Sequence, residues 1–430
     1  MRDLTCSLLL CCIAATAAAA ETKPAFTSTD LDRARGMLGL AQDETVKYFY
    51  DPARVGPKFA ARCAAAREAL AGAKSNGEAL MIIAQPFLDI GDSHTRFVPP
   101  AHKDLVSHHW KFQAVGPDVY VSEVDRGSDA EKKGLRVGDK LLAIDGIAPT
   151  RANRHLLQYL LYGLAPRPGM HLVAQAPGQE PRTLDVLGDV RTGTTLRDLR
   201  NDRDRGEVEL EAENEDARRR SRLLDLPDGL LVWKLRQFDE DKIASGLHKA
   251  ASAKTVILDL RGNPGGYVQA AEDMLNGLFG DGFEAYSTHE REKTETTRVK
   301  GGGFRGLLLV LIDETSASAS EIFARAVQMR QRGILLGDRT AGALSTAQLH
   351  PLVLGNAERF TYFGVHITRS SIIMADGSII EGKGVGPDYQ ILPTHEQLYR
   401  GDDPVLAKAL TIAGHKTTPE AAGKLFPPLN

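Results

Sequence analysis

Short, largely apolar runs set between helical periodicities dominate the second half of the chain. Residues 230–235 (LLVWKL), 255–260 (TVILDL) and 307–312 (LLLVLI) have the apolar density of strands buried on both faces. Residues 241–251, 267–278 and 321–327 have the spacing of helices. Residues 334–337, 360–365 and 371–374 read as further strands of the same sheet. Strands alternating with helices predict an α/β core over residues 229–400. Its sheet is expected to be mostly parallel, with sites at the strand carboxyl ends.

The first half is patterned differently. Three helices are expected between residues 29 and 88. The first places Leu31, Ala34, Met37, Leu38 and Ala41 on one face, with Thr29 or Asp30 as its cap. This N-terminal helical segment spans residues 21–104. Residues 105–190 form a separate β-rich unit, in which 119–124 alternates like a strand and Gly134 closes a short helix. Residues 191–228 are densely charged and read as a solvated linker or hairpin, and residues 401–430 as a C-terminal helix and tail.

Composition narrows the functional classes. The 430 residues are 42% hydrophobic and 25% charged, enough for more than one core. A formal net charge of −3 sets up no field for nucleic acid, and acidic residues flank the Arg218–Arg220 triplet. No internal segment is apolar enough to span a membrane. Residues 1–20 combine an apolar run with small residues at their end, the pattern of an export signal cut after Ala18 or Ala20. The expected location is therefore periplasmic or secreted. Leu10 before Cys11 fits lipid attachment poorly. Cys6, Cys11 and Cys12 leave with the signal, so Cys63 alone remains and no internal disulfide can form.

Two turns at the ends of apolar strands carry candidate chemistry. In Ser316–Glu321 (SASASE) a serine sits between a strand and a helix, where free helix N–H groups face a reacting oxygen. Small residues there would also let a helix pack closely on a sheet. The second turn, Gly262–Gly266, lets backbone N–H groups approach a carbonyl. Together the turns suggest an oxyanion hole made by the N–H groups of Gly266 and Ala319. A phosphate cradle is the other use of such glycines, but no G-x-x-x-x-G-K-[ST] match exists. No His, Cys, Asp or Glu cluster has metal spacing, so no metal or cofactor is expected. His94 lies in a polar turn, Gly91–Phe97, ahead of Pro99-Pro100, free for chemistry or for a backbone bond.

Two resemblances follow from these motifs. GSDAEKKGLRVGDKLLAIDG (127–146) resembles a PDZ domain of the bacterial periplasmic type, which implies a groove that captures peptide chain ends. DLRGNPGG (259–266), SASASE and EGKGVGPD (381–388), in that order, resemble the carboxyl-terminal processing (tail-specific) peptidases and their tricorn relatives over residues 80–390. The resemblance implies a crotonase-like ββα topology, with Ser318 as nucleophile and the hole at Gly266 and Ala319. Ser316 and Ser320 are then packing or cap residues. One departure stands out: the turn that carries a lysine in lysine-dependent members reads Thr340–Ser345 here, with Ala343 in the lysine's place. The tricorn-type alternative is a Ser-His pair and a late glutamate, matched by Ser93, His94 and Glu381. His289, His350 and His366 match no motif. The expected function is an exported serine peptidase acting on peptides or protein tails, its substrate held through a C-terminus at the PDZ domain. An inactive PDZ scaffold and a small ester or amide hydrolase are the alternatives.

Overall fold

The computed structural model describes residues 26–101, 104–192, 221–356 and 359–426. The expected export signal and residues 193–220 of the charged stretch lie outside the described residues. No helix among the described residues is long and apolar enough to cross a membrane.

Three helices come first: α1 (Ser28–Tyr48), α2 (Pro57–Ala69) and α3 (Asn76–Leu88). The cap of α1 is Thr27 and not Thr29 or Asp30. Thr27 Oγ1 accepts from Asp30 N–H at 3.2 Å, and the Asp30 carboxylate accepts from Thr27 N–H at 3.0 Å. Asp30 therefore serves as the far half of a capping box.

The strands β1 (Arg96–Val98) and β2 (Asp104–Ser107) lead into the β-rich unit. It holds β3 (Trp110–Val115), β4 (Asp118–Val124), α4 (Asp129–Lys132), β5 (Lys140–Ile144), α5 (Arg154–Gln158), β6 (Gly169–Gln175) and β7 (Arg182–Leu187). Its five strands pair antiparallel in chain order around Trp110, Phe112, Leu141, Leu157 and Leu172. The strand β8 (Asp189–Thr192) returns to pair with β2. The unit is thus entered and left through one two-stranded ribbon.

The core begins with β9 (Arg222–Leu226), β10 (Leu230–Lys234), α6 (Glu240–Ala250), β11 (Thr255–Asp259) and α7 (Val268–Leu278). It continues with β12 (Phe283–His289), β13 (Thr294–Val299), β14 (Leu307–Ile312), α8 (Ala319–Met329) and β15 (Ile334–Gly337). Last come β16 (Ser345–Asn356), β17 (Arg359–Met374), β18 (Tyr389–Gln390), α9 (His395–Arg400), α10 (Pro404–Ile412) and α11 (Pro419–Gly423). One sheet has the order β18-β15-β14-β11-β10-β9, all neighbours parallel except β9. Alternation along its strands explains why they read as continuous apolar runs. Leu231, Trp233, Val256, Leu258, Leu308 and Val310 face α6, α7 and α8, while Leu230, Val232, Ile257, Leu309 and Leu311 face α10. Arg222–Leu226, inside the stretch read as linker or hairpin, forms the antiparallel edge.

Residues 360–365 and 371–374 are not two strands of this sheet. They belong to one long strand, β17, in a second, antiparallel sheet with β1, β16, β12 and β13. The N-terminal helices pack on this sheet through Phe59, Phe87, Phe97 and Phe363. The unit built on β3 docks on the core by its free strand edge. Ala114 N–H donates to Glu314 at 2.7 Å, and Gly116 N–H donates to Asp338 at 2.9 Å. Arg154 and Arg151 pair with the same two carboxylates at 2.9 Å and 2.6 Å.

Candidate active site

The turn after β11 is bolted at its base. Asp259 is fully buried, and Arg261 binds it and Asp403 bidentately, at 2.7 Å to 2.9 Å. Beyond Arg261, Asn263 sets the shape. Its Oδ1 accepts from Gly265 N–H at 2.8 Å, and its carbonyl accepts from Ala317 N–H at 3.0 Å and from Ser320 Oγ at 3.1 Å. The glycine turn and the SASASE turn are therefore stapled together. Ser316 adds a second staple, donating to Leu260 O at 2.8 Å. Ser316 and Ser320 act as packing residues; the cap position of α8 belongs to Ser318.

Ser318 sits on that cap with φ 54° and ψ −116°, a conformation that L-residues rarely adopt. Such strain costs about 1–3 kcal/mol and recurs where a strand-to-helix turn pushes a nucleophile outward. The surroundings enforce it. Ser318 N–H donates to Ala343 O at 3.0 Å and to Glu321 Oε2 at 3.1 Å. On the other side runs Gly265, with φ 110°. A Cβ there would lie 2.7 Å from Ser318 Cβ and 3.2 Å from Ala319 N, so only glycine fits. Phe238 bonds to Gly265 O and Tyr267 N–H, passing over Gly266. Gly266 N–H and Ala319 N–H have no acceptor among the described residues. Two unpaired donors thus lie beside the serine.

His94 reaches this region through the second sheet. β1 pairs with β17 at Arg96↔His366, and Asp92 accepts from His94 N–H at 3.1 Å and Thr95 N–H at 2.8 Å. Thr368, on β17, also donates to Asp92. β17 then runs on to the turn that holds Glu381. Two segments far apart in sequence meet because one long strand carries both. Glu381 accepts from Ser93 N–H at 2.8 Å, Ser93 Oγ at 3.0 Å and Leu344 N–H at 2.7 Å. Ser93 Oγ lies 2.7 Å from His94 Nδ1. The single Ser93 hydroxyl proton goes to the carboxylate, so its lone pair takes Nδ1–H. In the neutral ring that assigns the bare nitrogen to Nε2. Burial lowers the His94 pKa, with Arg96 assisting and Glu381 and Asp92 opposing. No hydrogen bond joins His94 to Ser318.

Two of the other candidate histidines are engaged elsewhere. His350 Nδ1 lies 2.9 Å from Glu44, and His289 Nδ1 lies 3.2 Å from Thr294 Oγ1. His366 is pushed down to about 3 by burial and by the neighbouring Arg96. Among the described residues no group of His, Cys, Asp and Glu could hold a metal ion. Ser93, Glu381, Ala343 and Gly262 line one wall of a 1360 Å³ cavity whose other wall is the β3–α5 face of the β-rich unit.

Parts of the chain match known proteins. Residues 230–391 match the family described as peptidase family S41, and residues 120–166 match the PDZ domain. The S41 match spans nearly the whole core, from β10 to β18. The carboxyl-terminal-processing peptidase 1, chloroplastic, of Arabidopsis thaliana is 24% identical over 348 residues, covering 76% of this chain and 65% of that protein. The carboxy-terminal-processing protease of Bartonella bacilliformis is 32% identical over 166 residues, covering 38% of this chain and 36% of that protein. The chain thus spans less than two thirds of the length of these curated relatives. The crystal structure of mature CPAF has the same fold, with a TM-score of 0.65 at 14% identity, covering 91% of this chain and 99% of that one.

Within the S41 core, one residue of the site was not anticipated. Glu321 is fully buried and accepts from four donors: Thr340 Oγ1 (2.6 Å), Gly342 N–H (2.7 Å), Ala343 N–H (2.9 Å) and Ser318 N–H (3.1 Å). It ties the serine turn to the loop bearing Ala343. Its sequence signal was Ser318-x-x-Glu321, a capping-box spacing. Burial raises its pKa against the pull of those hydrogen bonds.

Proposed function

We propose that this chain is a serine peptidase that cleaves peptide bonds through an acyl-enzyme on Ser318. His94 Nε2 takes the Ser318 hydroxyl proton as Oγ attacks the carbonyl carbon. The oxyanion is received by the N–H groups of Gly266 and Ala319. The C–N bond then breaks, and the imidazolium returns the proton to the leaving amine. Water, deprotonated by the same imidazole, releases the acyl group and frees Ser318. Glu381 and Ser93 hold the ring in the tautomer that leaves Nε2 bare. The observation that carries this reading is the hydrogen-bonded chain from Glu381 through Ser93 to His94 Nδ1.

Its substrates are proposed to be peptides or protein carboxyl-terminal tails, as the names of the relatives and the PDZ domain suggest. The PDZ domain holds the tail and controls entry to the cavity between itself and the core. Export to the periplasm or beyond, from the pattern of residues 1–20, belongs to the same proposal. Incubation with unfolded polypeptide should release fragments with wild type and none with Ser318→Ala. Equal release by both proteins would refute the nucleophile.

A second reading, a peptidase fold used as a PDZ scaffold, is favoured by Ala343 and by the absence of a His94–Ser318 hydrogen bond. It requires wild type to bind peptide tails and leave them intact.

A further inference from the structure

Among the described residues Arg96 is a cation without a charge partner. It opens β1 two residues after His94, pairs with His366 on β17, and lines the same cavity as Ser93 and Glu381. Among the described residues it makes no ion pair and no hydrogen bond through its guanidinium. The other arginines of this cavity differ. Arg151 and Arg154 pair with Asp338 and Glu314, Arg261 is held by two aspartates, and Arg236 donates to Arg261 O at 3.2 Å. The ionisable groups that face Arg96 are Tyr159, whose phenol donates to Phe97 O, and the two histidines His94 and His366. None of them carries a negative charge at neutral pH.

This charge is also partly desolvated. The side chain is open to the cavity, yet enough protein surrounds it that burial lowers its pKa. A guanidinium that opens to the cavity and has no counter-charge among the described residues is free to take up an anion. Its planar fork matches a carboxylate with two parallel hydrogen bonds.

We propose that Arg96 anchors a substrate carboxylate beside the scissile bond, an acidic side chain or the free chain end. The assignment rests on the serine-peptidase reading of the same site. It makes Arg96 a specificity residue: substrates that bring a carboxylate to this wall are preferred. The bound anion has a second effect. It cancels the field by which Arg96 disfavours the His94 imidazolium, so the correct substrate makes the base stronger.

The test uses two libraries of random ten-residue peptides, one with free carboxyl ends and one amidated. Full-length wild type, Arg96→Gln and Arg96→Lys are compared, and cleavage sites are read by mass spectrometry. Wild type should enrich Asp or Glu at one fixed position from the cut in both libraries if a side chain is bound. It should cut at a fixed distance from the end, only in the free-acid library, if the chain end is bound. Arg96→Gln should abolish either preference and lower kcat/KM for the preferred peptides about ten- to a hundredfold, with the loss in KM. Arg96→Lys should retain part of the preference, and its thermal melting reports on folding. Cutting without any carboxylate preference, or a preference unchanged in Arg96→Gln, overturns the proposal. Retention of the same libraries on immobilised Ser318→Ala protein reads the subsite without turnover. Carboxylate-selective retention that Arg96→Gln abolishes supports the site even if wild type cuts nothing, in which case the peptidase reading alone fails. Unselective retention overturns the site whatever wild type cuts.

Discussion

Replacing Ser93 with alanine tests the relay that the site depends on. The substitution removes the hydroxyl 3.0 Å from Glu381 and 2.7 Å from His94 Nδ1. It leaves the rest of the anchor intact, because Glu381 still accepts from Ser93 N–H at 2.8 Å and from Leu344 N–H at 2.7 Å. The imidazole loses the acceptor that keeps its proton on Nδ1. A hydrogen bond to a charged group is worth about 1.5–3 kcal/mol, which corresponds to a loss of about ten- to a hundredfold in kcat/KM. Removing the base by His94→Ala should cost more, about a thousandfold or above. Ser93 is exposed, so the stability of Ser93→Ala should stay within about 0.5 kcal/mol of wild type. The assay is kcat/KM on a cleaved peptide together with urea denaturation. Full activity in Ser93→Ala would show that Glu381 does not act on His94 through this hydroxyl. A loss as deep as that of His94→Ala, at unchanged stability, would refute the graded roles of orienter and base.

Other predictions follow from the same geometry. The base must be neutral, and burial disfavours the imidazolium of His94, so the acid limb of kcat/KM should have its midpoint below the ordinary 6.5; a midpoint above that contradicts the burial argument. Asp259→Asn leaves Arg261 facing an amide in a buried site and should cost about 3–5 kcal/mol in denaturant unfolding, which a shift under 1 kcal/mol would contradict. Arg261 and Lys234 outweigh desolvation and hold Asp259 well below the usual carboxylate range, so the stabilisation from this group is present above pH 3.8 and lost as pH falls below it. Gly265→Ala places a methyl 2.7 Å from Ser318 Cβ at a φ of 110°, so activity should fall by more than tenfold while the fold survives; an active variant would mean that the turn has room to move.

The sequence made the parallel sheet legible because its strands are buried on both faces and leave unbroken apolar runs. The second sheet was misread for a specific reason. Thr368-Arg369-Ser370 looked like a polar break between two strands, yet Thr368 and Ser370 are fully buried, their hydroxyls spent on Asp92 and Thr346. Periodicity records apolar residues and misses a strand whose buried positions are satisfied polar groups. The edge strand β13 failed for the opposite reason: TETTRV is mostly exposed and carries little apolar signal. Ser93, His94, Ser318 and Glu381 were singled out by motif, and the hydrogen-bonded chain that joins Ser93, His94 and Glu381 depends on the length of β17, a long-range fact. Glu321 was half visible, as a cap; three of its four donors come from a loop some twenty positions on. Arg96 carried no sequence signal, since what sets it apart is the absence of a charge partner among the described residues in three dimensions.

The central claim is that Ser318 is a nucleophile whose reactivity comes from His94. The rate of covalent labelling by a fluorophosphonate, followed by intact-protein mass spectrometry, measures that reactivity without a substrate. Wild type should gain one adduct, mapped to Ser318, with none in Ser318→Ala and labelling slowed at least about a hundredfold in His94→Ala. Labelling of His94→Ala at the wild-type rate, or an adduct on any other serine, would contradict the account.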